Sequence, residues 1–490
     1  MGEETWLSPM NPEGVEVDTS VVGETLKTYR AKHSLSQADL AQILHVDQSY
    51  ISKVENGQRT IRDIDTLLHI ATQLDLPPRQ LGISDEILRP IPLPSAAPLV
   101  GGIDPVQHSQ QEWRKLRRAL NSGRGDLARV AASLYSPGLL ATGAPFLAPD
   151  AWTPAHPLPL EGITLEWENT ATPILVTGTE AEACGVLPLR VSGKRYDRYT
   201  SAIRYLDPPA LFENRPSYRL VDADLASTKP RLRFGLGTYF DKLDLSEAIA
   251  HELAGAANRK SEPGWEDLPL RGLVGDPFDL RRRAVMPAIE TLTLRRNTDT
   301  GQATFFLHWR DPAKVATAAG IYGLIPAGEF QPSTIATWDR ENDFDLWRNI
   351  VREYSEELLG EPERDGSQGV PLDYESWPLY RGLQTARTAG KVRPFCLGIG
   401  LDTLTLTATI LTAVVIDDDV FDTLFGDFVA VNAEGHLVTA SDTTAVTDGL
   451  PFDEPCVHRL LTDEPMASPG ACILDRAWRL RHQLLGRQAG

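Results

Sequence analysis

Cysteine is scarce in this chain. Its 490 residues include four, and Cys184, Cys396, Cys456 and Cys472 lie far apart with no Cys-x-x-Cys pair among them. That leaves little support for a disulfide framework or a thiolate zinc site, and it fits a reducing compartment, with the cytoplasm as the expectation. Positive charge is also in deficit, since 48 Lys and Arg against 67 Asp and Glu give a net charge of -19. An acidic surface repels phosphate except where cations are focused, which argues against a nonspecific nucleic-acid coat and favours selective contact by one small module. The first 22 residues hold five carboxylates and no Lys or Arg, the reverse of a signal peptide's basic start, so 1–22 is expected to be a flexible acidic tail. Long apolar runs are missing too. The most apolar one, Cys396 to Ile416, is rich in threonine, contains Asp402 and runs into Asp417-Asp418-Asp419, so buried sheet is expected there and no membrane contact.

What is present is a chain that is 42% hydrophobic, enough for large cores and two or three domains. Between Gly23 and Ile83 the apolar residues Leu40, Ala41 and Leu44, then Val46, Ile51 and Val54, fall at helical spacing on two short segments broken at His45. Ser36 with Asp39 offers a capping box for the first segment, Asp47 a cap for the second, and Asn56-Gly57 a stop. The second segment crowds Gln48, Ser49, Tyr50, Ser52 and Lys53 onto its outward side, donors and acceptors of the kind that read base edges in a major groove. The alternative is an ordinary solvated helix surface. Residues 23–83 carry seven Lys or Arg and seven Asp or Glu, so binding there would have to come from geometry and from two copies, not bulk attraction.

Arg30 ahead of Ser34-Leu35-Ser36-Gln37, then Glu55-Asn56-Gly57, Arg59 and the apolar helix Ile61 to Leu74 complete a pattern that resembles the XRE (Cro/C1-type) helix-turn-helix family. The resemblance implies an all-α, five-helix DNA-binding domain over 23–83. It makes Gln37 a phosphate contact that also braces Gln48, makes Gln48, Ser49, Ser52 and Lys53 the base-reading group, and makes Arg59 a clamp on the DNA backbone, with Tyr50 in the same DNA-binding set. Arg30 and Glu55 become a structural ion pair. His45 stands where the family usually has Gly in a left-handed turn, at a cost of about 1 kcal/mol.

Residues 84–106, with Arg89-Pro90-Ile91-Pro92-Leu93-Pro94, are expected to be a Pro-rich linker, and 107–160 a helical connector whose Ser109 to Tyr135 forms two helices broken at Asn121 to Gly125. Arg114, Lys115, Arg117 and Arg118 on the first of these either touch DNA or form a solvated basic surface. From 161 to 490 the texture is that of a large α+β body. Strands are expected at Gly162 to Trp167, Ile174 to Thr177 and Arg231 to Phe234, and a hairpin at Ile289 to Arg296 and Ala303 to Trp309; helices are expected at Asp244 to Ala257 and Phe344 to Leu359. His251-Glu252 lacks the second histidine of a zinc helix because Gly255 stands there, and Gly235-Leu236-Gly237 lacks a third glycine.

In Phe344 to Gly360, Glu353, Glu356 and Glu357 fall at i, i+3 and i+4, so on an α-helix three carboxylates share one side and could share Mg2+. Arg352-Glu353-Tyr354-Ser355-Glu356-Glu357 resembles the Arg-Glu-x-x-Glu-Glu core of the Nudix box, with Ile325-Pro326-Ala327-Gly328-Glu329 in place of its glycine-rich loop. The resemblance implies a Nudix-like region at about 285–440 and makes Arg352, Glu353, Glu356 and Glu357 candidates for a nucleotide-like ligand. The register departs at Phe344, where an acid is expected, and at the extra leucine before Gly360. The expectation is therefore a catalytically degenerate sensor with no required metal, not an enzyme. The protein reads as a dimeric transcriptional regulator binding operator DNA. An Mg2+-dependent nucleotide-diphosphate hydrolase with an autoregulatory DNA-binding module is the alternative, and a recruiter of other proteins a third.

Overall fold

A computed structural model describes residues 20–44, 46–83, 104–141, 144–169, 173–209, 212–310, 321–365, 370–426, 435–438 and 449–486. The expectations for the acidic tail before residue 20, for the linker up to residue 103 and for His45 lie outside the described residues.

The N-terminal unit contains four α-helices, α1 (Ser20–His33), α2 (Gln37–Leu44), α3 (Gln48–Glu55) and α4 (Ile64–Gln73). A 3-10 turn at Pro78–Leu81 stands where a fifth helix is expected; with Pro77 and Pro78 at its start, two amide donors are missing and the segment stays short. Leu26, Leu40, Ile51, Leu67 and Leu81 are fully buried and make one core with Leu44, Val54, Ile61 and Ile70. Val46 is the expected core residue that stays out, at 37% exposed. The Ser36 hydroxyl accepts from the Asp39 amide at 3.1 Å while the Asp39 carboxylate accepts from the Ser36 amide at 2.8 Å, so the capping box forms. Asp47 holds the N-cap position of α3 through extended backbone, but its side chain makes no cap hydrogen bond. Gly57, at φ +69°, closes the helix. Gly23 permits the close approach of α1 to α3, since a Cβ there would sit 2.7 Å from the Val54 carbonyl oxygen.

The body is α+β. Its main sheet has eight strands, ordered Phe146–Leu147, Val392–Asp402, Ala408–Asp417, Ala288–Arg296, Ala303–Phe305 and Leu450–Pro451; Ala327–Glu329 and Leu158–Pro159 pair alongside Ala288–Arg296 and Val392–Asp402. Ala288–Arg296 runs parallel to Ala408–Asp417 and the other pairs are antiparallel, so the sheet is mixed. The apolar run at 396–416 is a buried antiparallel pair at the centre of this sheet, as its composition predicts. It shows no polar alternation because both surfaces are covered. Ile410, Val414 and Ile416 enter one core with Ile350, Tyr354 and Leu383, while Leu411, Ala413 and Val415 enter another under the helix Ser468–Arg479.

A second sheet joins Thr164–Trp167, Arg231–Thr238 and Pro216–Asp224. It leads through a Thr238–Asp241 capping box into the long helix Tyr239–Arg259. Two expectations change in detail. Ile174 to Thr177 contributes only an isolated bridge from Val176 to Arg283. The second strand of the predicted hairpin ends at Phe305, and Leu307–Arg310 pairs in a different sheet. The helices of 107–160, Pro105–Ser122 and Arg124–Ala132, break at Gly123 as expected and pack on Tyr239–Arg259. Arg117, 1% exposed, donates there to Glu247 and Asp207, and Arg114 donates to the Leu206 carbonyl. These two arginines therefore serve packing and do not form an open basic surface.

Candidate nucleic-acid interface

In α3 the apolar residues Ile51 and Val54 turn inward, which leaves Gln48, Ser49 and Lys53 exposed and Ser52 half-buried on the outer side. The scaffold behind them is tied by one charged node. Glu55, 4% exposed, accepts from Arg30 through both carboxylate oxygens, at 2.6 Å from Nε and 2.8 Å from Nη2, and Arg30 also donates to the Leu35 carbonyl at 3.0 Å. A bidentate pair fixes both distance and orientation, so α1, the α1–α2 turn and α3 are held together. Burial pushes the Glu55 carboxyl up, but hydrogen bonds from Arg30 and Gln37 outweigh it and the pKa is lowered.

Gln37 and Tyr50, both in the expected DNA-contact set, are engaged within the chain. The resemblance has Gln37 bracing Gln48; instead its Nε2 donates to Glu55 at 2.7 Å. The reason is charge, because the buried carboxylate is a stronger acceptor than a neutral amide. Tyr50 is half-buried against the core, and its ring carries the Arg59 guanidinium at 4.6 Å from the centroid. Tyr50 thus works as a platform that pre-orients Arg59, which is exposed, and burial raises the pKa of its hydroxyl.

The surface next to this group is docked on the body, and nothing local in the sequence signals it. Asp63 caps α4 by accepting from the Thr66 amide at 3.2 Å and also accepts from the Asn214 amide at 2.8 Å, while the Ile64 amide donates to the Asn214 carbonyl at 2.9 Å. Arg204 pairs with Asp65 at 3.1 Å and with Asp63 at 3.4 Å. Arg62 pairs with Glu363 at 2.6 Å and with Asp365, and Glu363 also accepts from Arg215 at 2.6 Å. Ile335 of the body packs against the helical core. The pairs that join the helical unit to the body come from residues more than a hundred positions apart, so only the folded chain brings them together.

The acidic helix of the body departs from the geometry expected of it. Its α-helical part is Leu346–Glu353, and Tyr354–Leu358 is a π turn. A π turn widens the helix, so the i, i+3, i+4 spacing no longer lines up Glu353, Glu356 and Glu357. The Glu357 carboxylate accepts from the Ala327 amide at 3.3 Å, and the Glu353 carboxyl lies against Gly328, where a Cβ would overlap it. Glu356 instead faces Glu363; burial and that like charge push its pKa up to about 7, against Arg352, Arg215 and Arg62. Arg352 turns inward at 4% exposed, donating to the Gln331 carbonyl at 2.6 Å and to Asn349 at 3.1 Å, with Asp343 at 3.8 Å. Among the described residues no three His, Cys, Asp or Glu side chains are grouped to hold a metal.

Other candidates read from the sequence resolve into structure. His251 is buried in Tyr239–Arg259 with Nδ1 2.8 Å from the Tyr199 hydroxyl, and burial lowers its pKa to about 3. Asp417 ends a strand and chelates Arg296 at 2.8 and 2.9 Å. Cys396, Cys456 and Cys472 are buried thiols and Cys184 is exposed, with none of the four in a disulfide. Among the described residues no helix is long and apolar enough to cross a membrane.

Residues 26–81 match the helix-turn-helix family. A solved structure that is similar in this part is the restriction-modification controller protein C.AhdI from Aeromonas hydrophila, 38% identical over 13% of this chain and 94% of that one, with a TM-score of 0.12. No curated protein matches the chain.

Proposed function

We propose, from the premise that residues 26–81 form an XRE-type helix-turn-helix domain, that the protein is a sequence-specific DNA-binding transcriptional regulator. The observation that carries this reading is α3, whose Gln48, Ser49 and Lys53 stand open to solvent on a helix fixed from behind by the Arg30–Glu55–Gln37 node. Polar side chains on a rigid helix can enter a major groove and pair with base edges, and Arg59, set on Tyr50, supplies a phosphate contact at the end of the same helix. One neutral domain offers few phosphate contacts, so two copies about 34 Å apart on the duplex are needed for tight binding; we assign dimerisation to the body.

The size of the body supports a sensing role, in which a ligand shifts DNA affinity by binding unequally to competent and incompetent arrangements. Its acidic helix, Nudix-like in sequence, is assigned to recognition of a nucleotide-like molecule without cleavage, since Glu353 and Glu357 are directed at the chain's own backbone.

The test is binding of the full chain to duplex DNA flanking its own coding sequence. Gln48→Ala/Lys53→Ala should lose sequence preference and about 1–3 kcal/mol per base contact. Unchanged affinity and preference in that variant would reject the assignment. Light scattering with and without DNA tests the dimer, and an Mg2+-dependent screen of ADP-ribose, NADH and nucleoside triphosphates should detect no turnover.

A further inference from the structure

We infer that the contact between the helix-turn-helix unit and the body is autoinhibitory: the docked arrangement disfavours DNA, and opening the Arg62 latch frees the α3–α4 connection beside the open polar side of α3. The inference rests on the DNA-binding reading above and adds its regulation.

The latch sits at the α3–α4 connection, the segment that also carries Arg59. Three residues beyond Arg59, Arg62 is clamped by Glu363 at 2.6 Å and by Asp365, with side chains that are 20%, 25% and 9% exposed. A cation on the α3–α4 connection is thus already neutralised within the chain. Asp63 and Asp65 pair with Arg204, and the first amide of α4 is bonded to the Asn214 carbonyl, so the start of α4 has its polar groups satisfied by the body.

Glu363 and Asp365 hold Arg62 three residues from Arg59, so body carboxylates border the connection that carries the phosphate clamp. The deficit of -19 lies entirely outside residues 23–83, whose charges cancel, so the surface brought beside the groove-reading helix belongs to the acidic part of the molecule. A duplex seated on α3 with its backbone at Arg59 would bring phosphates towards these carboxylates, and like charges set opposite one another disfavour a complex.

The latch also has a route to the rest of the body. Glu363 lies on the segment that leaves the π turn, and that segment is tied back to it by the Glu361 amide donating to the Ser355 carbonyl at 3.0 Å and by the Ser355 hydroxyl donating to Glu361 at 2.6 Å. Arg215, which holds the other side of Glu363, donates in turn to the Ser333 carbonyl at 2.8 Å. A change at the acidic helix is thereby a change at the arginine that fixes the DNA-binding unit.

The experiment compares the full chain with Glu363→Gln/Asp365→Asn and, from the other side of the contact, with Arg62→Gln. The carboxylate substitutions keep shape and remove charge, and Arg62→Gln removes the charge with a shorter polar side chain. Two quantities are read: hydrogen exchange over the start of α4, and affinity for duplex DNA flanking the coding sequence and for a random duplex. Opening the latch should speed exchange around Ile64 and raise DNA affinity by about tenfold, as expected when an incompetent docked state dominates. Faster exchange with unchanged or weaker DNA binding would overturn the inference, as would exchange that does not change. Binding by wild type and variants with equal affinity sinks the latch alone. No binding to either duplex by any of them, even at low salt, sinks the DNA-binding reading and the latch together.

Discussion

Glu55 and Glu356 are both glutamates on short helices with arginines close by, and their ionisation is shifted in opposite directions. Glu55 receives Arg30 through two hydrogen bonds and Gln37 through a third, so its charged form is favoured although it is buried. Glu356 shares its surroundings with a second carboxylate, Glu363, which has taken Arg62 and Arg215 as direct partners, so its charged form is disfavoured. The contrast extends to the helices. In α3 the one buried charge is fully bonded and the remaining polar side chains face out. In 346–358 they are engaged by the chain itself. A helix of the first kind presents groups that only something outside the molecule can complete, whereas in the second kind the chain itself has set the position of the carboxylates.

Three measurements would break or sharpen that contrast. The largest effect is expected at Arg352, where Arg352→Met leaves Asp343 buried beside an apolar side chain; urea unfolding should report a loss of about 3 kcal/mol or more. A change under 1 kcal/mol would show that this helix does not depend on its internal charge. Next is Glu55→Ala, which strands Arg30 and Gln37 together and should cost about 1–3 kcal/mol in the stability of the N-terminal unit, with DNA affinity falling as the Arg30–Gln37 brace is lost.

The smallest effect is one of pH. A lowered Glu55 pKa means that its contribution is fully present above the unfolded value of about 4.3 and is lost as pH falls through the folded value. Glu356 does the reverse: with a folded pKa of about 7, it costs stability as pH rises from about 4.3 towards 7, so Glu356→Gln should flatten that slope and raise the melting temperature at neutral pH. Equal pH profiles for wild type and Glu356→Gln would contradict the assigned environment.

Much of the N-terminal unit was legible because its determinants are close in sequence. Ser36 meets Asp39, Arg30 meets Glu55, and Gly57 stops α3, each within about one helical hairpin. The partner of Gln37 was misjudged because a choice among acceptors depends on which one is charged and buried. For the body, the central apolar pair and the long helix were readable from composition and period. Ile174 to Thr177 and Ala303 to Trp309 were not, because a strand needs a partner, and short apolar stretches do not say which edge receives them.

The sequence by itself determined the helix-turn-helix, its core and its open polar side, since capping, helical period and short-range ion pairing act within a few turns of chain. Only the tertiary structure decided the fate of the three glutamates, the burial of Arg117 and the clamping of Arg62. A carboxylate's role is set by which cation or amide stands within about 3 Å of it, and for Glu356, Glu363 and Glu357 those neighbours come from strands, loops and a separate helical unit that meet only once the whole chain has folded.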